Sequence, residues 1–255
     1  MDIILTVFVG LVIGFLIGLT GMGGGAITTP FLLLVLKLDP ILAVGTDLTF
    51  AAITKTLGGI QHRREKNVSI KRVFWLAVGS IPASFLSAQF ILRQSEDRAM
   101  FDEFLPNVLG VTLIIVSLII MAKAFHLLRN IVIFEMDWPP SWVLIVIGAL
   151  GGLLVGMTSI GGGTIIMALL LIFFSIPLNQ LVGVDVTHGA LLAMITAINY
   201  LLAGQVDFIL AGLLLIGSLP GVWLGARAVN RIDLRIVRGI LAVMIAAAGI
   251  ELLFR

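Results

Sequence analysis

The sequence predicts an all-α integral membrane protein of about ten membrane segments, arranged as two inverted-topology repeats of five. Three observations carry this. Of the 255 residues 60% are hydrophobic and 12% charged, and the mean hydropathy is +1.18, which leaves too little polar surface to cover a soluble globule. Residues 14–93 recur at residues 152–231 without a gap, with 24 of 80 aligned pairs identical, where chance would give roughly a tenth. Finally, loops that this register makes equivalent differ in charge: HRREK from His62 stands opposite YLLAG from Tyr200. Equivalent loops of opposite charge bias belong on opposite sides of a membrane, which an inverted repeat requires and a parallel repeat forbids.

The segments follow from apolar runs. A helix needs about 20 residues to cross a hydrocarbon core of about 30 Å, and runs near that length occur at 2–20, 23–38, 40–60, 70–92, 105–127, 141–158, 162–176, 178–202, 206–229 and 235–254. The first opens Met-Asp-Ile-Ile without a basic stretch and belongs to the first repeat, so it reads as a span rather than a cleaved signal. The second and seventh are short and led by glycine, and are expected to be broken or re-entrant helices following each GGG motif. Asp39-Pro40 is an N-cap followed by a first-turn proline, which starts the third segment. The halves fall at 1–130 and 131–255, within a single transmembrane domain that leaves no room for a separate soluble catalytic domain.

Basic residues orient the segments. Arg63, Arg64, Lys66, Lys71 and Arg72 lie between the third and fourth, and Arg227, Arg231, Arg235 and Arg238 between the ninth and tenth. Ten crossings with both termini outside put these, with Lys123 and Arg129, on the cytoplasmic side: eleven of the 16 Lys and Arg. The net charge of +2 is then a topology signal and does not imply nucleic acid as a partner. The absence of cysteine excludes disulfides, thiolate catalysis and Cys-ligated metals. No nucleotide-binding loop or zinc-type spacing is present, so neither cofactor nor metal is expected. Trp75, Trp138, Trp142 and Trp223 read as interface anchors or bundle packing, and Gln61-His62 and Asn199-Tyr200 as interfacial residues.

The polar residues shared by the halves mark the candidate site. GLTGMGGGAITTP from Gly18 matches GMTSIGGGTIIMA from Gly156. Glycine runs can serve close helix packing. Two in matching positions, each preceded by a threonine (Thr20, Thr158), instead favour helix breaks whose exposed N–H groups bind an anion at the positive dipole end. Gly23, Gly24, Gly25, Gly161, Gly162 and Gly163 are therefore candidate substrate ligands, with Thr20, Thr49, Thr158 and Thr187 beside them. Asp47 and Lys55 lie about 10 and 22 Å into the third segment, and intramembrane ionisable groups are functional candidates. Asp185 and His188 are three apart on one helical face. Either aspartate could instead accept hydrogen bonds from a broken helix and hold it open. Lys55 could snorkel towards the basic loop, and His188 could be a satisfied bundle residue. Lys55 and His188 break the repeat, standing opposite Ala193 and Phe50, and asymmetry suits substrate choice or coupling better than scaffolding.

VGTDLTFAAITKTLGGIQHRR and VGVDVTHGALLAMITAINYLLAGQVDF, each downstream of a GGG turn and followed by GSIPAS or GSLPGV, make the chain similar to the sulfite exporter TauE/SafE family of bacterial and archaeal permeases. The resemblance covers nearly the whole length. It implies transport of small sulfur-containing anions such as sulfite, sulfoacetate or other organosulfonates across the cytoplasmic (inner) membrane, without choosing export or uptake. On matching positions it marks Gly23 to Gly25, Asp47, Thr49, Gly161 to Gly163, Asp185, Thr187 and His188.

The leading expectation is a secondary transporter for a small anion, working by alternating access, with a proton on His188 or an aspartate as the coupling partner and Lys55 among the anion ligands. A runner-up keeps the architecture but moves a divalent metal or other cation at Asp47, Asp185 and His188, a thin ligand set. A membrane-embedded enzyme would need a nucleophile and base facing each other, and Asp185-Thr187-His188 does not put such a relay on one helical face.

Overall fold

The computed structural model describes residues 3–20, 24–64, 66–94, 98–124, 138–160, 165–174, 176–228 and 234–254. These residues are helical nearly throughout. In order the helices are α1 (Ile3–Thr20), α2 (Gly25–Pro30), α3 (Pro40–Arg64), α4 (Ile70–Gln94), α5 (Arg98–Ala124), α6 (Ser141–Thr158), α7 (Ile165–Phe173), α8 (Leu178–Leu202), α9 (Phe208–Ala228) and α10 (Leu234–Leu253). Among the described residues six helices, within α3, α4, α5, α6, α8 and α9, are long and apolar enough to cross a membrane. Their outward faces are apolar as well: Ile209, Ile216, Leu202 and Trp142 are all well exposed, as a lipid-facing surface requires and an aqueous one does not tolerate at this extent.

Local chemistry explains the boundaries. Asp39 caps α3 as expected, its Oδ1 accepting the Ile41 N–H at 2.9 Å and the Leu42 N–H at 3.4 Å, with Pro40 in the first turn. The α2 segment runs only six residues to Pro30 before widening into a five-residue π turn, Phe31–Val35. The Leu36 N–H accordingly reaches back five residues to Phe31 O at 3.2 Å, a wide turn next to a proline that lacks a donor. The end of α6 is fixed by Ser159 in the left-handed region at φ 59°, and the Ile160 N–H donates to Thr158 Oγ1 at 3.1 Å.

Packing pairs helices through glycine. Gly10, Gly14 and Gly18 of α1 lie on the backbone of Leu214, Ser218 and Val222 of α9, while Gly148, Gly152 and Gly156 of α6 lie on Leu76, Ser80 and Ser84 of α4. A Cβ at any of these glycines would collide with main chain, so close approach there needs hydrogen as the side chain. The two sets of contacts are related residue by residue through the 138-residue offset of the sequence repeat. Two more contacts obey it: Gly45 on the Gln205 carbonyl and Gly183 on the Asn67 carbonyl. Since the start of α3 meets the end of α8 and the start of α8 meets the end of α3, these two helices run antiparallel.

Two details add to the sequence reading. Asn199 and Tyr200, near the end of α8, are buried within the bundle: Tyr200 is wholly enclosed, and its hydroxyl donates to Gly156 O at 2.7 Å. The absence of a side chain at Gly156 leaves that carbonyl reachable, which turns an amphipathic tyrosine inward. Of the tryptophans, Trp142 and Trp223 are exposed, while Trp138 is enclosed under the Arg72 guanidinium, 4.0 Å from its ring centre. Arg72 and Trp138 both donate to Gln180 Oε1, which ties α4, the start of α6 and α8 together at one end of the bundle.

Candidate functional site

Two helix ends meet inside the bundle. Gly25, the first residue of α2, lies against the Ser159 carbonyl at the end of α6, and the carboxylate of Asp47 on α3 joins them. Asp47 Oδ2 accepts from Thr29 Oγ1 at 2.6 Å and from Ser159 Oγ at 2.8 Å. The residue has no exposure, and its Oδ1 is buried with no hydrogen-bond partner among the described residues. A carboxylate in this place satisfies hydroxyls from both halves of the sequence at once, which no apolar side chain could do.

Lys55 lies two turns further along α3 and points across to α8. Its side chain covers Gly189: a Cβ there would stand 3.0 Å from Nζ and 3.3 Å from Cδ. It is half-buried, makes no hydrogen bond or ion pair among the described residues, and its charge acts on both Asp47 and His188. The side chain therefore turns to the neighbouring helix rather than towards the basic loop. Thr187 lies close by, its Oγ1 3.4 Å from where a Cβ of Gly59 would be.

His188 is fully buried and its Nε2 shares a 2.7 Å hydrogen bond with Ser80 Oγ of α4, while its Nδ1 has no partner among the described residues. Asp185, one turn earlier, is buried too. Thr196 Oγ1 donates to Ser84 Oγ at 3.1 Å and Gln89 Nε2 to Asn199 Oδ1 at 3.4 Å, so polar contacts continue along the α4–α8 seam.

The threonines marked by the sequence are engaged locally. Thr49 Oγ1 donates to Gly45 O at 2.9 Å and Thr187 Oγ1 to Gly183 O at 2.8 Å. Thr158 Oγ1 donates to Leu154 O at 2.7 Å. A hydroxyl has one proton to give, so in this conformation these groups stabilise their own helices and an anion would have to win that proton from a carbonyl. Gly23, Gly161, Gly162 and Gly163 lie outside the described residues, as does the side chain of Thr20; Gly24 and Gly25 open α2 beside Asp47. Sequence reasoning passed over Thr29, Ser159 and Ser80. Ser80 carried a signal, since it belongs to the GSIPAS motif and its repeat partner is Ser218. Thr29 and Ser159 carried none, because the repeat places Met167 and Gly21 opposite them.

A bundle of long apolar helices with buried ionisable groups on α3 and α8 is that of a multi-pass membrane protein. The family model described as "Sulfite exporter TauE/SafE" matches residues 6–252, and the chain belongs to that family. Among relatives, a "Probable membrane transporter protein YjnA" of Bacillus subtilis (strain 168) is 36% identical over 97% of this chain and 98% of its own. A "Probable membrane transporter protein YdhB" of the same organism is 26% identical over 98% of this chain and 100% of its own. A "Probable membrane transporter protein" of Xylella fastidiosa (strain 9a5c) is 24% identical over 100% of this chain and 96% of its own. No solved structure matches the chain.

Proposed function

We propose that the protein is a secondary transporter of small sulfur-containing oxyanions, of the sulfite and organosulfonate class, which it moves across the cytoplasmic membrane by alternating access between two inverted five-segment halves. The single observation that carries the anion reading is Lys55: an intramembrane ammonium turned onto a glycine of the facing half, with no carboxylate paired to it among the described residues. An unpaired cation in a low-dielectric bundle is costly, and an oxyanion arriving between α3 and α8 would relieve that cost. The broken helices on either side, opening at Gly24–Gly25 and after Ser159, and the hydroxyl of Thr20 would supply further donors, as would Thr49, Thr158 and Thr187 once they exchange their local bonds.

Support for the inverted arrangement comes from the packing. Helix contacts pair off through the repeat offset, and α3 runs antiparallel to α8. Asp207 N–H donates to Thr46 Oγ1 at 3.0 Å, so α3 and α9 start at one end of the bundle and finish at the other, where Arg63, Arg64 and Arg227 lie. With basic residues on the cytoplasmic side, that end is inside and the termini are outside. Protons at His188 or at an aspartate are the simplest coupling partner for such a cycle. A cation as cargo is less well supported, because His188 is already bonded to Ser80 and, among the described residues, no group of three His, Asp or Glu could hold a metal.

Uptake of labelled sulfite or sulfoacetate into proteoliposomes tests the reading. Lys55→Ala is expected to fold, judged by an unchanged elution profile in detergent, and to lose transport by at least about tenfold, the loss of one charge-assisted contact. Unchanged transport would remove Lys55 from the site.

A further inference from the structure

The Asp47 carboxylate sits in an environment made only of oxygen. Thr29 Oγ1 and Ser159 Oγ donate to Oδ2, and Thr28 Oγ1, which donates to Gly24 O at 3.1 Å, is also within reach of the carboxylate. All four residues are buried, and no nitrogen cation bonds to the group: Lys55, eight residues on along the helix, acts on it through charge alone. The second carboxylate oxygen is enclosed with no partner among the described residues.

Among the described residues nothing answers that oxygen. An ionised carboxylate with one oxygen buried and unpaired is strongly unfavourable in a membrane interior. A proton on Oδ1 would remove that cost, and so would a cation held by the carboxylate. The two hydroxyls already present both donate to Oδ2, which leaves Oδ1 as the oxygen facing such a partner. Carboxylate and hydroxyl oxygens are ligands for hard cations, and a single carboxylate balances a single positive charge.

We infer that Asp47, Thr28, Thr29 and Ser159 form a sodium site that joins the two halves of the protein. Thr28, Thr29 and Asp47 come from α2 and α3, while Ser159 is the left-handed residue that ends α6. A cation held there draws the α6 end onto the α2–α3 pair, and its release frees one half to move against the other. Because each state then binds sodium with different affinity, the sodium gradient biases the transport cycle. This inference rests on reading the central helix breaks as the transport site, and it puts sodium at this one aspartate, leaving His188 as the place for a coupling proton.

The test is thermal unfolding of the full chain in detergent, in sodium chloride and in choline chloride at equal ionic strength, at two pH values. Sodium is expected to raise the melting temperature by about 3 to 6 °C at a concentration near ten dissociation constants, and to go on raising it with the logarithm of concentration, for a chain of this size. Asp47→Asn should abolish the shift. Ser159→Ala, which keeps the carboxylate and removes one ligand, should lower melting in choline through the lost 2.8 Å bond, and, measured from that lower baseline, should need a severalfold higher sodium concentration for the same shift. Equal melting in both salts overturns the site, as does sodium stabilisation that survives Asp47→Asn. A melting temperature that follows pH alone assigns the carboxylate a proton and overturns it too. Sulfite added in each salt reads the anion site separately: stabilisation by sodium without any by sulfite sustains the cation site and counts against anion transport, and the reverse result does the opposite.

Discussion

Helices α3 and α8 hold equivalent places in the sequence repeat and face each other antiparallel, yet their polar contents have diverged. Both keep an aspartate, Asp47 and Asp185, and both keep a threonine bonded to its own helix, Thr49 to Gly45 and Thr187 to Gly183. Among the ionisable residues in their middle turns, α3 has Lys55 where α8 has Ala193, and α8 has His188 where α3 has Phe50. The neighbours have changed with them. Lys55 lies on Gly189, while the repeat partner of Gly189 is Ala51, and both Ala51 and Ala193 are buried. A long side chain is matched by a glycine in one arrangement, and two alanines stand in the other. What the halves share is therefore framework, and what they do not share is chemistry.

The framework part of that comparison can be broken hardest. Gly14 on α1 and Gly152 on α6 each lie against a serine backbone, Ser218 and Ser80. Gly14→Leu and Gly152→Leu should each cost more than about 3 kcal/mol, because backbone on the far side cannot move aside as a side chain tip can. Both variants are expected to lose the monodisperse peak in detergent size-exclusion, and to lose it equally. If one tolerated leucine and the other did not, the two helix pairs would not be equivalent.

Much of this framework was legible beforehand. The apolar runs gave helices near their observed ends: the third segment, expected at 40–60, is Pro40–Arg64, and the short second one is Gly25–Pro30 with its π turn. Asp39-Pro40 was readable because an N-cap is a local device. The hydroxyl contacts were not readable. A serine or threonine in an apolar helix can satisfy itself on the carbonyl four residues back, as Thr49 and Thr187 do. Whether it instead reaches another helix, as Thr29 and Ser159 reach Asp47, depends on helix rotation and crossing, which no single segment encodes. Tyr200 illustrates the same limit. Its inward turn depends on Gly156, 44 residues away in sequence.

The chemical part yields to smaller changes. His188→Phe copies Phe50 into the second half and leaves the Ser80 hydroxyl without its 2.7 Å partner in a buried place. Loss of that partner should destabilise the protein by about 1 to 3 kcal/mol, read as a fall in denaturation midpoint or melting temperature. Ser80→Ala in the same chain should recover part of it, since removing both members of a buried pair costs less than removing one. If the single variant were as stable as the parent, the histidine would have no structural share in the seam, and its burial would be owed to transport alone.

The gentlest change is Gly189→Ala, which gives α8 the residue that α3 carries at Ala51. The added methyl would come within 3.0 Å of Lys55 Nζ, but what it meets is the far end of a flexible side chain, which can swing by a few tenths of an ångström. Stability should change by less than about 1 kcal/mol, in either direction, because alanine also favours the helix over glycine. The ammonium, displaced from its seat, should bind the anion less well, so the apparent KM for sulfite uptake should rise a few fold with the maximal rate nearly kept. This outcome separates position from presence: Lys55→Ala removes the charge, whereas Gly189→Ala only moves it. An unaltered KM would mean that the anion does not meet Lys55 at the α3–α8 crossing, and that the glycine opposite it serves packing alone.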